Sequence, residues 1–190
     1  MKNNSEMTPA AVLLPLFHDS ENAKIEYTNT KKFRIIGDAE ILLTVRTDTV
    51  EHHKGQISFP GGRKDEEDTD FLHTALRETE EELGLPREQI RIIAELPMIP
   101  IPRTGFQVRP FVGIVEKTAA KLLKPSPIEI AQLLFVPLSH LLDPKNSTLE
   151  TYEHEGVLYQ LKAYHYKEHR IWGATAKMLQ FFLESQEPAK

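Results

Sequence analysis

One segment restricts this chain more than any other. In FLHTALRETEEELGL, residues 71–85, Leu72, Ala75, Leu76, Thr79 and Leu83 recur at the spacing of one helical face. Asp68 and Thr69 are candidate N-caps ahead of it, and Gly84 with Pro86 two residues later ends it. At about 100° per residue, Glu78 and Glu82 are i,i+4 neighbours and Glu81 lies one turn from Glu78. The three carboxylates therefore leave the helix on one side, apart from the apolar face. Glu80 points elsewhere, to solvent or a partner cation. Like charges at this spacing repel, which invites a compensating cation, and hard oxygen ligands select Mg²⁺, Mn²⁺ or Ca²⁺ over softer metals. A Glu-rich helix can also be no more than a solvated face. Two neighbours argue against that here. Gly61-Gly62 offers backbone that can approach a phosphate, or give a carbonyl to a metal, without a side chain in the way. Arg77 can orient an adjacent carboxylate, or simply form a salt bridge.

Strand patterns flank this helix on both sides. AAVLLPLF (10–17) and EILLTVR (40–46) precede it, with a polar, irregular excursion between them over residues 18–39. GQISFPGG turns at Pro60-Gly61-Gly62. QIRIIAELP and FQVRPFVGIVE follow as strands joined by the loop MIPIPRTG. PSPIEIAQLLFVPLSHLL reads as a helical turn and then an apolar strand. ETYEHEG and VLYQLKAYHYK form a hairpin turning at Glu155-Gly156, and IWGATAKMLQFFLES is a closing amphipathic helix. The pattern predicts a mixed α/β domain. With 190 residues, 40% of them hydrophobic, the chain can bury one sizeable core, so one domain over 1–190 is expected. No apolar run is long enough for a membrane span. MKNNSEMTPA lacks a signal-peptide pattern and EPAK is no targeting tripeptide, so the expected location is cytoplasmic. A net charge of -5 argues against a nucleic-acid partner. The absence of cysteine removes disulfides and thiolate-bound zinc.

GGRKDEEDTDFLHTALRETEEELGL resembles the Nudix box. Its tail matches residue by residue as Arg77, Glu78, Thr79, Glu80, Glu81, Glu82, Leu83, Gly84 and Leu85. Its head departs. Asp68 stands where the general pattern has Glu, eight rather than seven residues then precede Arg77, and Thr79 replaces an apolar residue. These departures resemble the branch that hydrolyses coenzyme A, which also carries an upstream motif. That motif is present here as Leu42-Leu43-Thr44-Val45-Arg46-Thr47, His53, Gly55-Gln56 and Phe59-Pro60-Gly61-Gly62. Glu51 occupies the place of an expected Arg, which puts one phosphate contact in doubt. The similarity continues through AAVLLPL, RTGFQVRPFVG and IWGATAKML, leaving residues 18–39 as an insertion. The fold it implies is the Nudix fold, a mixed β-sheet sandwiched between helices (α/β/α).

The reaction implied by this resemblance is water attack on one phosphorus of a pyrophosphate, aided by Mg²⁺ or Mn²⁺. Glu78 and Glu82 would be the main metal ligands, Glu81 a third ligand or the base that holds the water, and the Gly62 carbonyl a further donor. Arg77 belongs with this catalytic group. Glu129 either adds a carboxylate from an opposite loop or is a surface residue. Coenzyme A would be cut into 3′,5′-ADP and 4′-phosphopantetheine. Arg46, His53, Lys54 and Arg103 are its candidate phosphate contacts, with Gln56, Gly61 and Gly62 also on the substrate side. Phe106 either stacks the adenine or belongs to the core. The partner is then a small nucleotide of the coenzyme A class, and a homodimer is left open. Two alternatives remain: hydrolysis of ADP-ribose, NADH or another nucleoside diphosphate derivative, and a Nudix domain that binds a nucleotide without cutting it. The three retained glutamates weigh against the latter.

Overall fold

The computed structural model describes residues 7–19, 24–27, 33–47, 56–154 and 156–186. The first strands are β1 (Thr8–His18), β2 (Lys24–Tyr27), β3 (Phe33–Ile36), β4 (Ala39–Arg46), β5 (Ile57–Ser58) and β6 (Gly61–Arg63), and they lead into helix α1 (Phe71–Leu83). After it come β7 (Ile90–Glu95), β8 (Ile99–Ile101), β9 (Phe106–Glu116), β10 (Ile130–Pro137) and the short helix α2 (Leu138–Leu142). Strands β11 (Ser147–His154), β12 (Val157–Tyr166) and β13 (His169–Ile171) precede the closing helix α3 (Gly173–Glu184).

The main sheet runs β10-β4-β1-β9-β7, with β5 on β4, β6 on β1 and β8 on β9. β1 lies parallel to β9, and its other pairings are antiparallel, so the sheet is mixed. β1 reads as an unbroken apolar run because both of its faces are covered. Ala10, Leu14 and Leu16 face one way, joining Ile41 and Leu43 of β4, Val112 and Ile114 of β9, and Ala176, Leu179 and Phe182 of α3. Ala11 and Leu13 face the other way, against Ala75 of α1 and Phe111. Phe17 extends that second face beside Leu42, Val115 and Leu83 of α1. The sheet is thus held between α1 and α3, in the expected α/β/α layering.

Several local expectations change. The cap of α1 is Asp70, whose side chain accepts from the His73 amide at 2.7 Å; Asp68 and Thr69 do not cap it. Gly84 does end the helix, in the left-handed conformation with its N–H on the Glu80 carbonyl. Pro60 alone forms the bend of GQISFPGG, and Gly61-Gly62 belong to β6, paired with Val12 and Ala11. The segment 18–39 is less irregular than its composition implies: β1 runs through His18, and β2 and β3 pair as a small antiparallel ribbon. Part of MIPIPRTG is also a strand, β8, on the edge of β9.

Leu179 is fully buried between α3 and the sheet. Replacing it with Ala should lower the free energy of unfolding by about 2–5 kcal/mol, measured by urea denaturation followed by far-UV circular dichroism. A loss below 1 kcal/mol in that experiment would place the α3 contact outside the core.

Candidate active site

The first turns of α1 are tied to the loop before them through one side chain. Arg77 donates to both carboxylate oxygens of Asp68, from Nε and Nη2, each at 2.9 Å. Asp68 is buried, at 3% exposure, and also accepts from the Asp65 amide and the Thr74 hydroxyl. The bonds from Arg77 hold the Asp68 carboxyl well below the usual carboxylate range, and they raise the Arg77 guanidinium above its usual value in turn. The same guanidinium reaches the Arg63 carbonyl at 3.3 Å, Glu78 at 3.0 Å and Glu81 at 3.2 Å. A fork with five donors is needed for so many acceptors, which lysine lacks. Thr79, unusual for its position, is buried and donates its hydroxyl back to the Ala75 carbonyl at 2.7 Å, so its polarity costs little. Glu80 points away to Arg87 at 3.2 Å.

Glycine lets β6 lie against this helix. A side chain at Gly62 would place its first carbon 2.5 Å from the Glu78 carboxyl carbon. At Gly61, with φ +147°, it would strike the Ala11 carbonyl at 2.3 Å. The Gly61 amide donates to Glu82 Oε2 at 3.3 Å, the one hydrogen bond seen at that carboxylate among the described residues. Glu82 is only 7% exposed, so its burial pushes the carboxyl up to about 8. The charge of Arg46 and the Gly61 amide oppose that shift, and the Glu129 and Glu78 carboxylates add to it. Glu78 is raised as well, first by burial, with Arg77 opposing. Glu129 reaches the same region from a loop fastened to β4: the Thr47 amide donates to the Glu129 carbonyl at 3.0 Å, and Arg46 pairs with the Glu129 carboxylate at 3.8 Å.

A buried carboxylate with one long hydrogen bond is a group short of a cation. Glu78 and Glu82 supply hard oxygens against the Gly62 and Gly61 backbone, and that chemistry fits a divalent ion of the Mg²⁺ or Mn²⁺ kind. Among the described residues no three acidic or imidazole groups are yet gathered round one point. Glu78 and Glu81 are turned onto Arg77, and Glu82 onto the Gly61 amide.

On the other side of Gly61-Gly62 lies a cleft of about 380 Å³. It gathers Arg46, Gln56, Gly61, Gly62 and Arg103 from the sequence-derived set, together with Phe106. His53, Lys54 and Glu51 lie outside the described residues. Phe106 is half-buried at the cleft wall rather than fully in the core. Sequence reasoning missed Trp172, Thr175 and Met178, which close the cleft from the start of α3. The signal was present in IWGATAKML, where an amphipathic helix opens on the chain's single tryptophan. Thr175 fixes that end by donating to the Ile57 carbonyl at 2.9 Å.

Comparison with known proteins bears on this geometry. A NUDIX domain model matches residues 33–160. The chain is 34% identical to a Nudix hydrolase NudL of Photorhabdus laumondii over 73% of each chain. It is 35% identical to the mitochondrial coenzyme A diphosphatase of Homo sapiens, over 80% of this chain and 65% of that one. Among solved structures, a MutT/nudix family protein from Enterococcus faecalis shares the fold with a TM-score of 0.55 at 16% identity, covering 94% of this chain and 61% of that one.

Two outcomes follow from the packing of β6 on α1. Gly62→Ala should displace the Glu78 carboxylate and lower turnover by about a hundredfold, with an unchanged circular dichroism spectrum. An effect under threefold would show that Glu78 is not fixed by this contact. The second concerns Glu82 without metal. Its folded pKa of about 8 lies above the ordinary 4.5, so the folded protein holds the extra proton. Stability of the metal-free protein should therefore fall as pH rises from 4.5 through 8, by up to about 5 kcal/mol from this group. Glu82→Gln should flatten that decline in chelator-treated samples followed by thermal unfolding, and an unchanged slope would contradict the burial argument.

Proposed function

We propose, on the premise that this chain belongs to the NUDIX family, that it hydrolyses the pyrophosphate bond of coenzyme A and its derivatives, releasing 3′,5′-ADP and 4′-phosphopantetheine. That the protein is a Nudix hydrolase follows from the family match. The finer substrate rests on LLTVR and GQISFPGG upstream of the box, on Asp68 within it, and on the name of the human relative at 35% identity. The observation that carries it structurally is the cleft. Its Gly61-Gly62 wall separates a cationic and aromatic pocket from the α1 carboxylates, so a pyrophosphate lying across that wall has both within reach.

In this reading Glu78, Glu82 and the Gly62 carbonyl would hold Mg²⁺ or Mn²⁺, with Glu81 as third ligand or water-holding base. When bound, such an ion neutralises phosphate charge and acidifies a ligated water. The chain's own residues do the rest. Asp68 fixes Arg77, and Arg77 restrains Glu78 and Glu81 until the site is filled. Arg46, close to Glu82 and bordering the cleft, meets a phosphate oxygen. Arg103, exposed at the rim, and Gln56 meet the distal groups, and His53, read from the sequence alone, is a further candidate contact. Water attacks one phosphorus, its proton passes to a glutamate carboxylate, and the P–O bond to the other phosphate breaks with that phosphate leaving as an anion. The proposed domain spans 1–190 with 18–39 inserted, and its proposed compartment is the cytoplasm, although the human relative is named mitochondrial. No helix among the described residues is long and apolar enough to cross a membrane.

The test is a substrate panel of coenzyme A, ADP-ribose and NADH with Mg²⁺ or Mn²⁺, products separated by chromatography. Release of 3′,5′-ADP from coenzyme A in preference to cleavage of the others is expected, and its absence would overturn the substrate. Glu82→Gln should lower turnover by at least about a hundredfold, since even outer-shell changes at metal sites cost about 10- to 100-fold.

A further inference from the structure

Trp172 stands at the cleft wall on a scaffold that no catalytic argument above requires. It is the chain's single tryptophan, half-buried, and sits between β13 and α3. The Tyr152 ring lies near-parallel to the indole, 14° off at a centroid distance of 6.4 Å. The Arg170 guanidinium lies over the indole at 5.3 Å. Arg170 and Tyr152 are joined by a hydrogen bond of 2.8 Å, so they support the indole as one unit. Glu150 locks that unit by accepting from both Arg170 and Tyr152. These bonds, from Arg170 first, hold the Glu150 carboxyl below its usual range. Cross-strand pairing sets the assembly: Tyr152 and Glu150 come from β11, Arg170 from β13. An indole fixed in this way has little rotamer freedom left to lose on binding.

The indole shares its cleft with apolar side chains and with the cations Arg46 and Arg63. Phe106, Ile101, Val108 and Met178 line the same space, and Arg103 marks its mouth. Apolar and aromatic side chains beside several cations suit a planar aromatic base that carries phosphate.

We propose that Trp172 is the stacking platform for the nucleobase of the substrate, with Tyr152, Arg170 and Glu150 as positioning residues that hold its ring. This rests on the reading that the cleft takes a nucleotide half, and the test separates the two. Because Trp172 is the chain's one tryptophan, fluorescence of the full chain with Mg²⁺, excited at the red edge of the indole band where tyrosine does not absorb, reports on it alone. Titration with 3′,5′-ADP should quench the emission saturably, while 4′-phosphopantetheine leaves it unchanged. Trp172→Ala should raise KM for the cleaved nucleotide about 5- to 100-fold, the range of base stacking, with kcat little altered. Trp172→Phe, which keeps a ring, should recover most of that loss. Arg170→Met, which loosens the brace, should raise KM less and shift the emission maximum. No quenching by 3′,5′-ADP, or equal quenching by 4′-phosphopantetheine, overturns the platform. So does Trp172→Phe failing as badly as Trp172→Ala. Failure of the coenzyme A reading appears in the product assay instead: quenching by 3′,5′-ADP without coenzyme A cleavage upholds the platform and rejects that substrate.

Discussion

The bidentate bond between Arg77 and buried Asp68 sets the geometry on which the site depends. It fastens α1 to the acidic loop that leads into it, and it fixes the guanidinium that meets Glu78, Glu81 and the Arg63 carbonyl. Without Arg77, Asp68 would be a charged group at 3% exposure with a backbone amide, a hydroxyl and the His73 ring beside it. Breaking a buried pair by removing one partner costs about 3–5 kcal/mol. That makes Arg77 structural before it is anything else. Its position between Asp68 and two of the glutamates also offsets the repulsion among these carboxylates.

Two glycines complete what the arginine begins. With Gly61 and Gly62 lacking side chains, β6 can pair with β1 on one side while the Glu78 and Glu82 carboxylates approach its backbone on the other. The strand thus becomes a thin wall with carboxylates behind it and the cleft in front. Placing carboxylates there is unfavourable in isolation, as the raised Glu82 and Glu78 carboxyls show. Buried acids with raised carboxyls beside a cleft are the kind of arrangement that marks a candidate functional site.

Much of this was legible in residue order. The helix could be read from its apolar spacing and its Gly84 stop, because those are local signals, and a mixed α/β domain from strands on either side of it; the α/β/α layering came only with the resemblance to the Nudix fold. The depth of Glu82 could not. Periodicity says which side of a helix a residue leaves from, whereas burial depends on β6 and the β4 end of the sheet coming to meet it. Asp68 looked like a cap because acids before helices usually are; Asp70 took that role once Arg77 claimed Asp68. Gly61-Gly62 looked like a turn, since glycine after proline rarely signals a strand, and only the pairing with Ala11 and Val12 made them one. Trp172 and its brace escaped notice for a related reason: Glu150, Tyr152, Arg170 and Trp172 are brought together by strand register across β11, β12 and β13.

The central claim is that the α1 carboxylates behind the Gly61-Gly62 wall form one divalent-metal site. Electron paramagnetic resonance of free Mn²⁺ during titration into the protein tests it most directly. A wild-type chain that removes Mn²⁺ from the free signal, and a Glu78→Gln, Glu82→Gln double variant that no longer does while remaining folded, is the predicted result. Equal Mn²⁺ uptake by the two proteins would contradict it.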